Sequence, residues 1–359
     1  MLCRALRLAG VRPYVLSLGR GKANGSWLYF RASVRRERGI PVVYAPFCHL
    51  PVLSELLSLG APVWSVLRLA RSRPKAVVFY NRLPAYVPAL FAASLAGFKN
   101  VLDLEDGEVL GAGQAGVKRV IGRAVTWVYD RLCRGGALLA CSALAAMTRA
   151  RPVHCYYGTA EDSGAAGRLA SAQVTVLMSG TLMKDTGADL LLDAIRTIRK
   201  QAPVWAQLLR FEVTGMGPSL NDFSALVDPL AVPEVVVHGR TTDAEYRQIL
   251  SRCDVGLALK PLHGPLADTT FPSKVIEFAS AGLLVLTTDI SDVREVLGPG
   301  GLYLTRNDSQ DLVDLLMHVV ENRAEAATCA EAGRRTVSQR CSPTLAGRAV
   351  AEFIFGSKP

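Results

Sequence analysis

Short apolar runs alternate with stretches of helical periodicity along almost the whole chain. The runs read as strands over 13–18, 41–44, 76–80, 100–104 and 136–141, with a further one near 153–156. Between them, residues 26–38, 51–73, 84–96 and 117–132 carry the spacing of helices. The same rhythm restarts after a stretch of small and turn-forming residues over 158–171, read as a linker. Strands are then expected over 174–178, 209–214, 234–238, 254–259, 284–287 and 301–304. Helices are expected over 188–201, 220–230, 243–252, 273–281, 293–297, 309–320, 323–341 and 343–355. Strands separated by helices make right-handed βαβ units and parallel sheets. The pattern therefore predicts an α/β protein of two successive, doubly wound, Rossmann-like halves, with ligands at the carboxyl ends of strands in a cleft. Residues 1–165 form the first half and 166–342 the second; the helix over 343–359 is expected to cross back to the first. Doubly wound domains open on a strand, whereas here 3–8 already read as helix, so either the first strand is absent or the true start is expected upstream.

The chain has 359 residues, half of them hydrophobic and 20% charged. That supports two sizeable cores and excludes global disorder. None of the eight cysteines forms a C-x-x-C pair, so reduced, mostly buried thiols are expected, and no metal site. Charge is the sharper clue. The net +10 divides into 22 Lys and Arg against 7 Asp and Glu over 1–160, a balance of +15, and 19 against 24 over the remainder. A basic first half faces an anionic partner: a phosphorylated substrate or an anionic membrane surface. No nucleic-acid module accompanies the charge, so no nucleic-acid partner is expected. No secretory leader is expected, and no run of about 18 apolar residues is present. The expected location is the cytoplasm, on the inner face of a membrane if on any.

The most informative stretch is DVGLALKPLHGPLADTTFPSKVIEFASAGLLVL, 254–286. A buried strand ends at Leu259, a loop follows, and Pro272 stands where a helix begins, with Thr269 or Thr270 placed to cap it. Amides at such a start suit a diphosphate. Lys274 sits in that first turn, where an anion would relieve its conflict with the helix dipole, and Glu277 is spaced to accept two hydrogen bonds from a sugar diol. The alternative is a solvated lysine and a helix-stabilising glutamate. Gly215 and Gly217 either bring backbone close to a nucleotide or only make a tight turn. Asp103, Glu105 and Asp106 end a strand of the first half, where one of them either orients or deprotonates an acceptor hydroxyl or caps a helix. Asn81 and Arg82 end the preceding strand as further candidates for ligand contact, whereas His49 and His154 read as packed or surface residues.

The stretch resembles the donor-binding segment of retaining GT-B glycosyltransferases of the large family 4, or group 1, class. LMSGTLMKDTGADLLLDAI (177–195), FEVTGMGP (211–218) and VVVHGRTTDAEYRQILSRCDVGLALKP (235–261) resemble that family's other blocks, in its order and spacing. In the first half only VVFYN (77–81) and VLDLEDGE (101–108) match, in general shape. The resemblance implies a GT-B fold, two Rossmann-like domains facing across a cleft, and a metal-independent, retaining hexosyltransferase. Its expected donor is a nucleotide-diphosphate sugar, UDP-linked, used as substrate with no cofactor. The acceptor is a glycan or polyprenyl-linked molecule, in cell-surface polysaccharide or glycolipid synthesis. Glu277 matches the second glutamate of the family's E-x7-E motif, which holds the nucleotide ribose; Thr269 stands at the first. Thr269, Thr270, Phe271 and Ser273 fall in the loop that meets the donor sugar and diphosphate. Where the family has arginine and lysine after the first strand of its second domain, Thr181 and Thr186 follow Gly180, leaving Lys184, Lys260 and Lys274 to meet the phosphates. These departures keep open a non-catalytic GT-B-like subunit that positions a partner enzyme. A sugar-nucleotide epimerase shares the two-domain shape but requires more cleft carboxylates and histidines than the sequence offers.

The stretch VKRVIGRAVTWVYDRLCR, 117–134, places Val117, Val120, Ile121, Ala124, Val128 and Leu132 on one helical face and basic residues largely away from it. The stripe is expected to pack on the sheet. The basic face, with Arg68, Arg71, Arg73 and Lys75, is the candidate contact with an anionic membrane.

Overall fold

The computed structural model describes residues 1–18, 29–48, 50–70, 76–107, 116–162, 167–263, 267–306 and 308–356. His49, Arg71, Arg73 and Lys75 lie outside them. The chain divides into two compact units, Met1–Tyr157 together with Pro343–Pro359, and Gly158–Ser342. The division falls at the first residue of the turn-rich stretch rather than at 165.

The first unit opens with α1 (Leu2–Leu8). The strands β1 (Val15–Ser17), β2 (Tyr29–Phe30), β3 (Ser33–Glu37), β4 (Ile40–Tyr44) and β5 (Phe47–Cys48) follow. After them come α2 (Pro51–Ala70), β6 (Ala76–Tyr80), α3 (Val87–Leu95), β7 (Lys99–Leu104), α4 (Val117–Leu132), β8 (Ala137–Leu139) and β9 (Val153–Cys155). Strands β6, β7, β8 and β9 pair in that order, all parallel. A separate three-stranded sheet has β4 at its centre, with β1 parallel on one side and β3 antiparallel on the other.

The helix expected over 26–38 is not formed where the chain is described: residues 29–30 and 33–37 are strands. A two-residue turn, Arg38–Gly39, joins β3 to β4 with both residues at positive φ (50° and 82°), the backbone that a tight hairpin demands. All five residues of β3 are exposed, so no alternation of burial marks the strand in the sequence. Its basic side chains suit an edge strand.

The second unit alternates without interruption: β10 (Val174–Thr181), α5 (Ala188–Gln201), β11 (Leu209–Met216), α6 (Leu220–Ser224), β12 (Glu234–Gly239), α7 (Asp243–Arg252) and β13 (Val255–Ala258). It continues with α8 (Lys274–Ser280), β14 (Leu284–Thr288), α9 (Val293–Leu297), β15 (Gly301–Leu304), α10 (Ser309–Glu321) and α11 (Arg323–Arg340). Its six strands are parallel, in the order β12-β11-β10-β13-β14-β15. Strand order reverses between β10 and β13, and ligands of such sheets bind at the carboxyl ends of strands at that point. The β13 strand is buried throughout, as expected of a central parallel strand. Helix α6 ends at Ser224, short of the expected 230, because Pro229 bars Asp228 from helical backbone.

The last helix, α12 (Pro343–Phe355), belongs to the first unit. Leu6 of α1 and Val350 and Ile354 of α12 bury themselves with Val101 and Leu138 of the four-stranded sheet. Gly347 makes this possible, since a Cβ there would stand 2.1 Å from the Ala5 carbonyl oxygen. His154 stacks on Phe353 of the same helix, with ring centroids 5.5 Å apart, and burial lowers its pKa. All eight cysteines carry free thiols, five of them buried. Among the described residues no helix is long and apolar enough to cross a membrane.

One element is turned the other way from its expected setting. Helix α4 buries Gly122, Val125 and Tyr129, while Val117, Val120 and Ile121 of the apolar stripe face solvent. Tyr129 anchors it inward, donating to the Leu83 carbonyl at 2.8 Å and meeting Phe79 of β6 edge-on.

Candidate donor site

The second unit gathers a polar cluster at its switch point. The final residues of β10 run beside those of β11, pairing Gly180 with Gly215 and Thr181 with Met216. That approach leaves no room for side chains. A Cβ on Gly215 would stand 1.8 Å from the Gly180 carbonyl oxygen, and one on Gly217 2.2 Å from that of Leu182. Both glycines lie at positive φ, 138° and 157°. Their structural role is thus to let two strand ends close on each other. Gly180, at φ 116°, is open by comparison: the nearest atom to its Cβ position is Cε of Lys274, at 3.7 Å.

Lys274, the first residue of α8, reaches across to that strand end. Its Nζ donates to Oε2 of Glu277 at 2.7 Å and to the Tyr246 hydroxyl at 3.2 Å, and lies 4.9 Å from the centre of the Tyr246 ring. The Tyr246 hydroxyl also meets Oγ of Ser179 at 3.0 Å. Burial pushes the ammonium of Lys274 down, but Glu277 and Tyr246 outweigh it and hold its pKa above the ordinary value. Burial and then the charge of Glu277 raise the Tyr246 phenol. Lys274 and Glu277 each remain about a third exposed, so a ligand can reach this ion pair. Of the residues expected here, Gly180, Lys274 and Glu277 come together, with Gly215 and Gly217 behind the first.

Tyr246 and Ser179 were not foreseen. Ser179 directly precedes Gly180, and Tyr246 lies in the first turn of α7, which a Thr242–Glu245 capping box starts. An aromatic hydroxyl one turn inside a helix that follows a strand was the available signal. The far end of α7 is pinned as well: Arg252 donates to the buried Glu212 at 2.8 Å, and His238 pairs with the same carboxylate. Burial alone would raise the pKa of Glu212, yet the hydrogen bonds from Arg252 and His238 win and hold it below the ordinary range.

The other expected donor residues occupy the loops around this edge. Lys184 is exposed in a 3-10 turn, Lys184–Thr186, after β10. The Thr186 hydroxyl closes that loop, donating to the carbonyls of Thr181 (2.5 Å) and Met183 (2.8 Å). Lys260 follows β13, its amide bound to Oγ1 of Thr288 at 3.0 Å. Phe271 is buried, and Thr269 and Thr270 are half-buried. Neither threonine caps α8. The helix begins two residues after Pro272, and Ser273, its N-cap residue, makes no side-chain cap bond.

In the first unit the three acidic candidates lie at the end of β7, beside the end of β6. Asn81, at φ 49°, donates its amide to the Asp103 carbonyl at 2.6 Å, and its Oδ1 accepts from the Glu105 amide at 2.9 Å. The Tyr80 hydroxyl donates to Glu105 at 3.2 Å. Burial, then the charge of Glu105, pushes the Tyr80 phenol up to about 12. The same two causes push the Asp103 carboxyl up to about 7. Asp106 lies close enough to add to the field on Tyr80. Arg82 is no ligand contact: its side chain is 7% exposed, donates to the Met147 carbonyl at 2.6 Å and pairs with Asp130.

Two parallel α/β units, the second with this sheet order and this cluster, define a GT-B protein. Solved structures of glycosyltransferases share the fold over nearly the whole chain. A glycosyltransferase from Rickettsia africae superimposes with a TM-score of 0.69 at 13% identity, covering 99% of this chain and 94% of that one. HepE of Anabaena, solved in complex with UDP, gives 0.62 at 18% identity, covering 88% and 86%. Residues 173–322 match the family model described as glycosyl transferases group 1, so the second unit carries a domain of that family. A curated relative, the gpi3 subunit of phosphatidylinositol N-acetylglucosaminyltransferase from Schizosaccharomyces pombe, is 26% identical over 170 residues. That match spans 47% of this chain and about a third (35%) of the relative.

Proposed function

We propose that the protein is a glycosyltransferase that takes a hexose from a UDP-sugar and passes it, with retention of configuration, to a glycan or lipid-linked acceptor in cell-surface polysaccharide or glycolipid synthesis. The observation that carries this reading is the partly exposed Lys274–Glu277 pair beside Gly180, at the switch point of a group 1 domain. Glu277 accepts hydrogen bonds from the ribose. Lys274 turns its ammonium to the diphosphate, whose charge grows as the sugar leaves, and so does by electrostatics what a metal does elsewhere. This places the compensating cation on α8 in a chain that has Thr181 and Thr186 after Gly180. The Asp103 carboxyl, with a pKa near the operating range, serves the acceptor hydroxyl. HepE binding UDP supports the choice of nucleotide, and the phosphatidylinositol in the name of the curated relative supports a lipid acceptor.

Thermal shift against UDP, GDP, ADP and their sugars, with and without magnesium, tests the reading. At a ligand concentration about 100 times Kd, UDP should stabilise by about 2.7 kcal/mol, a shift of several degrees. The shift should need no metal and should vanish in Glu277→Ala. No shift with any nucleotide would overturn this reading, in favour of a non-catalytic GT-B-like subunit or of a chain that needs a first strand to bind its donor.

A further inference from the structure

We propose that α4 is a docking helix for an anionic lipid bilayer, its outward ridge seated among the headgroups. The ridge is built by spacing. Val117, Val120, Ala124 and Trp127 follow one another at intervals of three, four and three residues, so they share one line along the helix. All four are exposed, with Val117 at 74%, Val120 at 67% and Trp127 at 64%. Single exposed apolar residues are ordinary, but a continuous ridge of them marks a contact surface. The inward face is already satisfied by Gly122, Val125 and Tyr129 against the unit's own core, so the ridge is left over for something outside it.

Charge identifies the partner. Lys118, Arg119, Arg123 and Arg131 lie on the exposed surface of the helix. Its single acid, Asp130, is turned in, accepting from Thr148 at 2.7 Å and pairing with Arg82. An apolar ridge with an indole and a basic flank is how a helix lies in a membrane interface, the ring and the arginine stems in the headgroup layer and the cations on the phosphates. The same face of a second copy would bring like charges together. The neighbouring helices of the unit also carry exposed apolar residues. Helix α3 contacts both α2 and α4 and exposes Phe91 and Leu95, while α2 exposes Trp64 and Leu67 beside Arg68. This inference does not depend on the donor reading, because lipid binding is measured with no sugar present.

The test is flotation of the full chain with vesicles of phosphatidylcholine alone, and with about 30% phosphatidylglycerol added, at about 50 and about 500 mM salt. The protein should float with the anionic vesicles at low salt and stay down with the neutral ones. The double variants Val120→Asp/Trp127→Ser and Arg123→Glu/Arg131→Glu should each lower the bound fraction about tenfold or more. Unchanged far-UV circular dichroism and an unchanged melting temperature would show that both variants are folded; all four positions are exposed. Wild-type protein that stays down with anionic vesicles at low salt overturns the proposal. So does flotation that both double variants retain. Self-association without lipid binding, lost in Val120→Asp/Trp127→Ser, would make the ridge a protein contact and overturn it equally.

Discussion

Lys274 carries more of the proposed chemistry than any other residue, and the structure shows what aims it. A lysine at the start of a helix is ordinarily a mobile surface charge. Here the Tyr246 hydroxyl, itself held by Ser179, fixes the ammonium beside the end of β10. Lys274→Met should therefore lower transfer about 100- to 1,000-fold. Tyr246→Phe removes only the positioning bond and should cost about tenfold, mostly in kcat, with the donor KM little changed; steady-state kinetics of both variants check this. Asp103 makes a prediction of opposite character. Its folded-state pKa, near 7, stands well above the unfolded value of about 3.9. The folded state therefore binds the proton more tightly, and the stability this contributes is lost as pH rises from about 4 to about 7. Asp103→Asn is exempt, so its melting temperature relative to wild type should rise between pH 5 and pH 8. A constant difference would mean that the carboxyl titrates normally. Much of this site was legible in the sequence: Lys274 and Glu277 stand in one motif, one helical turn apart. Tyr246 was not: its place one turn inside α7 is only a hint, and its role comes from its hydroxyl meeting Ser179 at the end of β10, a tertiary placement.

Elements show the same division between pattern and packing. The helices at 117–132, 188–201, 243–252, 293–297 and 343–355 have the bounds that periodicity implies. What periodicity could not decide was which way α4 faces. Its apolar stripe is richer than the side that is buried, and the core took Gly122, Val125 and Tyr129 because Tyr129 alone fills the space against Phe79 and reaches a carbonyl. The β3–β4 hairpin was missed because a fully exposed strand has no hydrophobic period to read. The crossing of α1 and α12 is a close approach of backbones, with Gly347 at the contact. Gly347→Val should force the helices apart and destabilise the first unit by about 3 kcal/mol. The melting temperature checks it, and donor binding by the second unit should survive.

On the scale of the whole molecule, the two units differ in charge. The basic residues concentrate over 1–160, nearly all of it the first unit, and the acidic excess in the rest. The doubly wound order of the second unit followed from its unbroken alternation, and the family match falls there too. Among the described residues the first unit has a four-stranded parallel sheet in one piece and sets β1, β3 and β4 apart in another.

Because α12 packs on α1 and on the sheet of the first unit, that unit is assembled from segments on either side of the second. A ribosome emits residues in order, and domains generally fold as they emerge. Here α1 and the sheet of the first unit must wait for α12, with the whole second unit emerging in between. The second unit is free to fold while the first still lacks Val350 and Ile354. Until α12 emerges, the basic, apolar-ridged portion of the protein stays incomplete, in need of shelter from aggregation during the time it takes to translate residues 158–342.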